Sequence, residues 1–141
     1  MERSAEAYRA AAELAPEDVR IVNDAALVLV YYLHTDLDRA RAMLERCVEL
    51  GARQVQDPGL DKEALWALKN AWGDAHQNLG VLHAEFLGDK AQAITYFNKA
   101  VEIGPEPRPD VTSIWLPALG GEKVDPGDDM LVTKSWAEPC R

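Results

Sequence analysis

Along residues 1–104 apolar positions return every three or four residues, the spacing of helices that bury one face. The punctuation between these periodic stretches is specific. Leu14-Ala15-Pro16-Glu17-Asp18 ends one helix and begins the next. His34-Thr35-Asp36 separates a helix over Ile21–Leu33 from one over Leu37–Gln56, with Asp36 as N-cap. Asp57-Pro58-Gly59 reads as a turn, and Asp61 as the cap of a helix that continues to Leu87. Gly88-Asp89 then leads into a last helix, which stops at Gly104-Pro105. Connections this short make successive helices antiparallel neighbours. The expected fold class is all-α, a stack of antiparallel helical hairpins.

The periodicity ends at residue 105. Six of the eight prolines fall in residues 105–141, together with Gly120, Gly121 and Gly127. Proline lacks the N–H that a helix interior needs, so this stretch is expected to be an irregular C-terminal arm or tail without helix. Within it, Val111–Gly121 ("VTSIWLPALGG") is apolar, β-branched and aromatic beyond what a plain linker requires. Three readings stand: a cap laid along the helices, a motif for another protein, or a disordered tail. Asp129–Trp136 has the same character more weakly.

Self-comparison sharpens the helical part. Ala93, Phe97 and Ala100 form a small–large–small series followed by Pro105; Ala40, Leu44 and Cys47 repeat it, and so do Ser4, Tyr8 and Ala11, followed by Pro16. The preceding helices also correspond: Leu79-Gly80-x2-His83 answers Leu27-Val28-x2-Tyr31. Small residues let helices approach closely, and the large residue fills the adjoining groove. Gly80 stands mid-helix, where glycine costs about 1 kcal/mol relative to alanine. It is therefore expected to mark the closest approach within its hairpin.

This pattern resembles the tetratricopeptide repeat, whose helix–turn–helix carries W-x2-L-G-x2-Y…A-x3-F…P. His76-x2-Leu79-Gly80-x2-His83…Ala93-x3-Phe97…Ala100…Pro105 is the best copy, with histidines at both consensus aromatic positions. Asp24-x2-Leu27-Val28-x2-Tyr31…Ala40-x3-Leu44…Cys47 is a second copy, without the glycine or the terminal proline. The resemblance implies a right-handed solenoid made of a half repeat (2–16), a repeat (19–52), a helical hairpin insertion (55–72) and a repeat (73–105), followed by the irregular arm (105–141). The insertion is expected to protrude. Its apolar stripe runs through Leu65, Leu68, Trp72, Leu79, Leu82 and Phe86, with Ala75 bridging Trp72 and Leu79. Trp66 lies off that stripe and is expected to pack on a neighbouring repeat, the alternative being an exposed contact. The half repeat leaves a terminal face uncovered, through which the chain would self-associate unless the arm covers it.

Composition narrows the function. A formal net charge of −9, with 48% hydrophobic and 28% charged residues, suits a globular protein. It argues against a nucleic acid or an anionic membrane as partner, since both need a basic face. Cys47 and Cys140 offer neither a disulfide framework nor CxxC spacing, and no secretory signal or membrane-length apolar run is present, so a cytoplasmic location is expected. His76 and His83 are seven residues apart, about 10 Å along a helix, too far for the i, i+4 metal-ligand pairing. They read as packing residues, His34 as a capping or solvated one and Cys47 as a small core residue. No catalytic group, metal site or cofactor site is expected, and the chain is read as a non-enzyme. Arg39, Arg46 and Arg53 recur at seven-residue steps near Glu45 and Glu49, which reads as a solvated, ion-paired outer face, the alternative being an anion-binding stripe.

The resemblance implies a protein-binding or scaffold role, with a partner segment held in a concave groove lined by the first helices. By position, that lining is Val22, Ala25, Leu29, Tyr32 and Leu33 from one repeat and Asp74, Gln77, Asn78, Val81 and Glu85 from the other. The basic clamp of chaperone-tail binders is absent, so a protein or peptide with apolar side chains and some positive charge is the expected partner. The alternative is an accessory repeat segment of a larger enzyme, with its catalytic domain N-terminal to this chain.

Overall fold

The computed structural model describes residues 2–29 and 37–120. The helices, in chain order, are α1 (Glu2–Leu14), α2 (Val19–Val28), α3 (Leu37–Gln54) and α4 (Lys62–Val81), which runs on as a π-helical turn (Leu82–Leu87). They continue with α5 (Lys90–Ile103), a second π-helical turn (Val111–Trp115) and the short α6 (Leu116–Leu119). Among the described residues there is no strand, and the fold is all-α.

Among the described residues three aspartates start helices as N-caps. Asp18 Oδ1 accepts from the Ile21 N–H at 3.1 Å, Asp61 Oδ1 from Ala64 at 2.8 Å, and Asp89 Oδ1 from Gln92 at 3.1 Å. Asp57 closes the α3–α4 turn by accepting from the Gly59 N–H at 2.8 Å. Gly88, at φ 66°, ends the π-helical turn in the left-handed region that a side chain disfavours. The turn read at His34-Thr35-Asp36, with its Asp36 cap, lies outside the described residues, as do Tyr31, Cys140 and the stretch 129–136.

Packing follows the small–large–small series. Ala40, Leu44 and Cys47 of α3 are fully buried, as are Ala93, Phe97 and Ala100 of α5. Two core clusters join α2, α3 and α4: one around Leu29, Leu44, Leu79 and Leu82, the other around Val22, Cys47, Leu50 and Ala75. α2 packs on α4 as well as on α3, so the first helices of the two full hairpins touch.

Gly80 has the role its position suggested. A Cβ built there would stand 2.6–2.9 Å from three ring atoms of Phe97. Two further helix-interior glycines behave alike, for a Cβ on Gly51 would collide with Trp72 and one on Gly73 with the Arg108 guanidinium.

Two expectations need correction. The stretch after residue 105 is helical from Pro109 to Leu119. Its prolines are compatible with that because Pro109 occupies the first turn, where no N–H is needed. Before Pro117 the chain widens into a π turn, in which the Leu116 N–H donates to the Val111 carbonyl. This segment forms a third core cluster, with Val111 and Trp115 against Val81, Ala93 and Phe97. Of the three readings for Val111–Gly121, the described part is the cap. Trp66, expected to pack, is instead 47% exposed, and no residue from 62 to 70 is buried. Of the two tryptophans in α4, Trp72 is the one that packs: its indole N–H donates to the Val48 carbonyl at 3.1 Å.

Candidate functional site

The polar side chains that converge in the interior lie between α2, α4 and the segment that follows α5. Asn78 of α4 donates from Nδ2 to Oδ1 of Asn23 on α2 at 2.8 Å, and both are buried. Each amide then satisfies the other where an unpaired polar group would be costly. One turn away, Arg108 reaches back onto α4. Its Nη1 donates to Asp74 Oδ1 at 2.6 Å and to Gln77 Oε1 at 2.8 Å; its Nη2 donates to the carbonyls of Asn70 at 3.1 Å and Gly104 at 3.4 Å. Arg108 is 8% exposed, and its planar guanidinium fits the space that Gly73 leaves open.

The carboxylates here are partly desolvated. Burial pushes the Asp74 carboxyl above the usual range, and the Arg108 hydrogen bond works against that shift. Asp24 is also raised, first by burial; Arg20 opposes the shift, and the charges of Asp74 and Asp18 add to it. Unlike Asp74, Asp24 has no ion pair among the described residues.

The residues expected to line one groove do not share one surface. Asp74 and Gln77 hold Arg108, Asn78 is tied to Asn23, and Val81 lies under Val111 and Trp115. Val22, Ala25 and Leu29 are buried and floor a separate pocket of about 270 Å³ between α1 and α3. Glu85 is exposed, while Tyr32 and Leu33 lie outside the described residues. Sequence reasoning missed Asn23, Asp24 and Arg108. Arg108 did leave a signal, since Gly73 is a second mid-helix glycine seven residues before Gly80.

The histidines sit in an aromatic ladder. Trp72 meets His76 edge-on at 5.8 Å; His76 lies 5.9 Å from Tyr96, and His83 stacks on Tyr96 at 5.3 Å. Among the described residues none of the four ring nitrogens has a hydrogen-bond partner. Burial lowers the pKa of His76 to about 4, helped by Lys99 and Arg108, and burial also lowers that of His83. Both rings are neutral near pH 7 and act as packing surface. Cys47 is buried, its thiol donates to the Val19 carbonyl at 3.5 Å, and burial raises its pKa to about 12. A protonated thiol of this kind is no nucleophile at neutral pH. Among the described residues no group of three or more His, Cys, Asp or Glu could hold a metal ion. No helix there is long and apolar enough to cross a membrane.

The α3 arginines also need correction. Arg41 pairs with Glu45 at 3.0 Å, but Arg39, Arg46 and Arg53 are exposed and, among the described residues, make no ion pair.

In comparison with known proteins, the family model described as tetratricopeptide repeat matches residues 73–107. No curated protein and no solved structure matches the chain.

Proposed function

Since residues 73–107 are a tetratricopeptide repeat, we propose that this chain is a protein-interaction module whose α2–α4 face takes a partner segment combining positive charge with apolar side chains. The observation that carries this reading is the chain's own segment on α4. There a guanidinium sits on Asp74 and Gln77, while Val111 and Trp115 cover Val81. That occupant displays the chemistry α4 accepts, a basic group followed by apolar and aromatic side chains.

Asp24 extends the same chemistry onto α2. Its carboxylate is partly desolvated and unpaired, so an arriving Lys or Arg would regain the charge interaction that burial took from water.

The test uses labelled peptides of about nine residues that place Leu or Trp beside Arg and Lys, with acidic versions as controls, titrated against the full chain. We expect the basic–apolar peptides to bind more tightly, and Asp24→Lys to weaken them at least about fivefold. Equal binding of acidic and basic peptides, or indifference to Asp24→Lys, overturns this assignment.

A further inference from the structure

The pocket between α1 and α3 is a second site of opposite character. Its floor is the α2 side chains Val22, Ala25 and Leu29, with Met43 of α3 beside them. Its rim carries three arginines, Arg9 on α1 and Arg39 and Arg46 on α3, against one carboxylate, Glu13. All three arginines are exposed, and none makes an ion pair or hydrogen bond among the described residues. In a chain with 24 acidic and 15 basic residues, three unpaired guanidiniums around one apolar pocket run against the overall charge.

We propose that this pocket binds an extended acidic–apolar segment of a partner protein, inserting one aliphatic side chain and pairing flanking carboxylates with Arg39 and Arg46. The spacing supports a peptide. Seven residues along α3 separate Arg39 from Arg46 by about 10 Å. A peptide in the extended polyproline II conformation, with three residues per turn, covers about 9 Å in three residues and brings i and i+3 onto one face. Carboxylates at i and i+3 therefore reach both guanidiniums, with the apolar side chain between them over the floor. A single-headed amphiphile satisfies only one end of that span. The cavity, about 270 Å³, has room for one or two aliphatic side chains. Arg9, on the opposite wall, faces a third acidic position.

The test is fluorescence anisotropy with the full chain. The probes are labelled peptides of about nine residues with one Leu between two Asp or Glu at i and i+3, matched Asn/Gln and Lys versions, and an i, i+1 acidic version. Decanoate serves as the non-peptide carboxylate. We expect the i, i+3 acidic peptide to bind most tightly and to weaken as ionic strength rises. The double variant Arg39→Glu/Arg46→Glu is expected to lose at least about tenfold in affinity, because both side chains point into solvent and their reversal spares the core. Asp24→Lys, which adds positive charge, should not weaken this binding, whereas it should weaken binding at the α2–α4 site. The proposal is overturned if no acidic peptide binds, if the amide or Lys versions bind equally well, if charge reversal has no effect, or if decanoate binds while the peptides do not.

Discussion

Gly80 and Phe97 are in direct apposition: the α4 backbone lies so close to the Phe97 ring that a Cβ on Gly80 would stand 2.6 Å from Cε1. Phe97 is fully buried and stacks on Trp115 at 5.5 Å, so the ring has nowhere to retreat. Gly80→Ala raises helix propensity by about 1 kcal/mol, yet it overpacks this contact at a cost of about 1–3 kcal/mol. The expected result is net destabilisation, larger still for Gly80→Leu. Denaturant unfolding of the two variants checks it; a more stable Gly80→Ala would show the ring yielding freely.

Arg108 fastens the C-terminal segment to α4. Arg108→Ala leaves Gln77 unpaired and Asp74 without its cation, a loss on the order of 2 kcal/mol, since the Asp74 side chain remains 45% exposed. Arg108→Lys does not restore it, because one ammonium cannot span Asp74, Gln77 and two carbonyls. Thermal unfolding and the protease sensitivity of the bonds near Trp115 report the effect.

Stability should fall on acidification. The fold depresses the His76 pKa to about 4 from 6.5, so between those values the unfolded chain binds more protons than the folded one. The stabilisation is therefore complete above about pH 6.5 and is lost as the pH falls towards 4. His83 acts in the same direction. The raised carboxyls of Asp24 and Asp74 act oppositely at the acid end, because the folded state protonates them first. His76→Phe should make the acid decline shallower, by up to about 1.4 kcal/mol per pH unit. Urea unfolding from pH 7 to 4 measures the slope, and an unchanged slope would contradict the burial argument.

The two neighbouring tryptophans should differ sharply. Trp66→Ala removes an exposed ring and should change stability by no more than about 0.5 kcal/mol. Trp72→Ala removes the ring against Gly51, the hydrogen bond to Val48 and the edge contact to His76, a loss of about 3 kcal/mol. Paired melting curves suffice to compare them.

Cys47 should resist thiol reagents. With Cys140 replaced by Ser, native-state labelling should proceed only as fast as the protein opens, because the thiol is buried and held protonated. Fast labelling at neutral pH would place Cys47 nearer the surface than its packing indicates.

The helices up to α5, the Asp61 cap and the small–large–small series of α3 and α5 were determined by sequence alone, because each rests on local spacing. A cap needs an acceptor two or three residues before its N–H, and a buried stripe needs only the helical period. Gly80 was legible for the same reason, since a costly mid-helix glycine implies a close neighbour. Which neighbour, and that Gly51 and Gly73 serve the same purpose, depended on how the helices dock. The tertiary structure decided more about the sites. Arg108 lies between prolines with no periodicity to mark it, and 34 residues separate it from Asp74; only the return of the chain onto α4 joins them. The rim of Arg9, Arg39 and Arg46 likewise exists only because α1 and α3 flank α2. Periodicity places a side chain on a helix face, but pairing a charge or leaving it unpaired is settled by what packing brings opposite it.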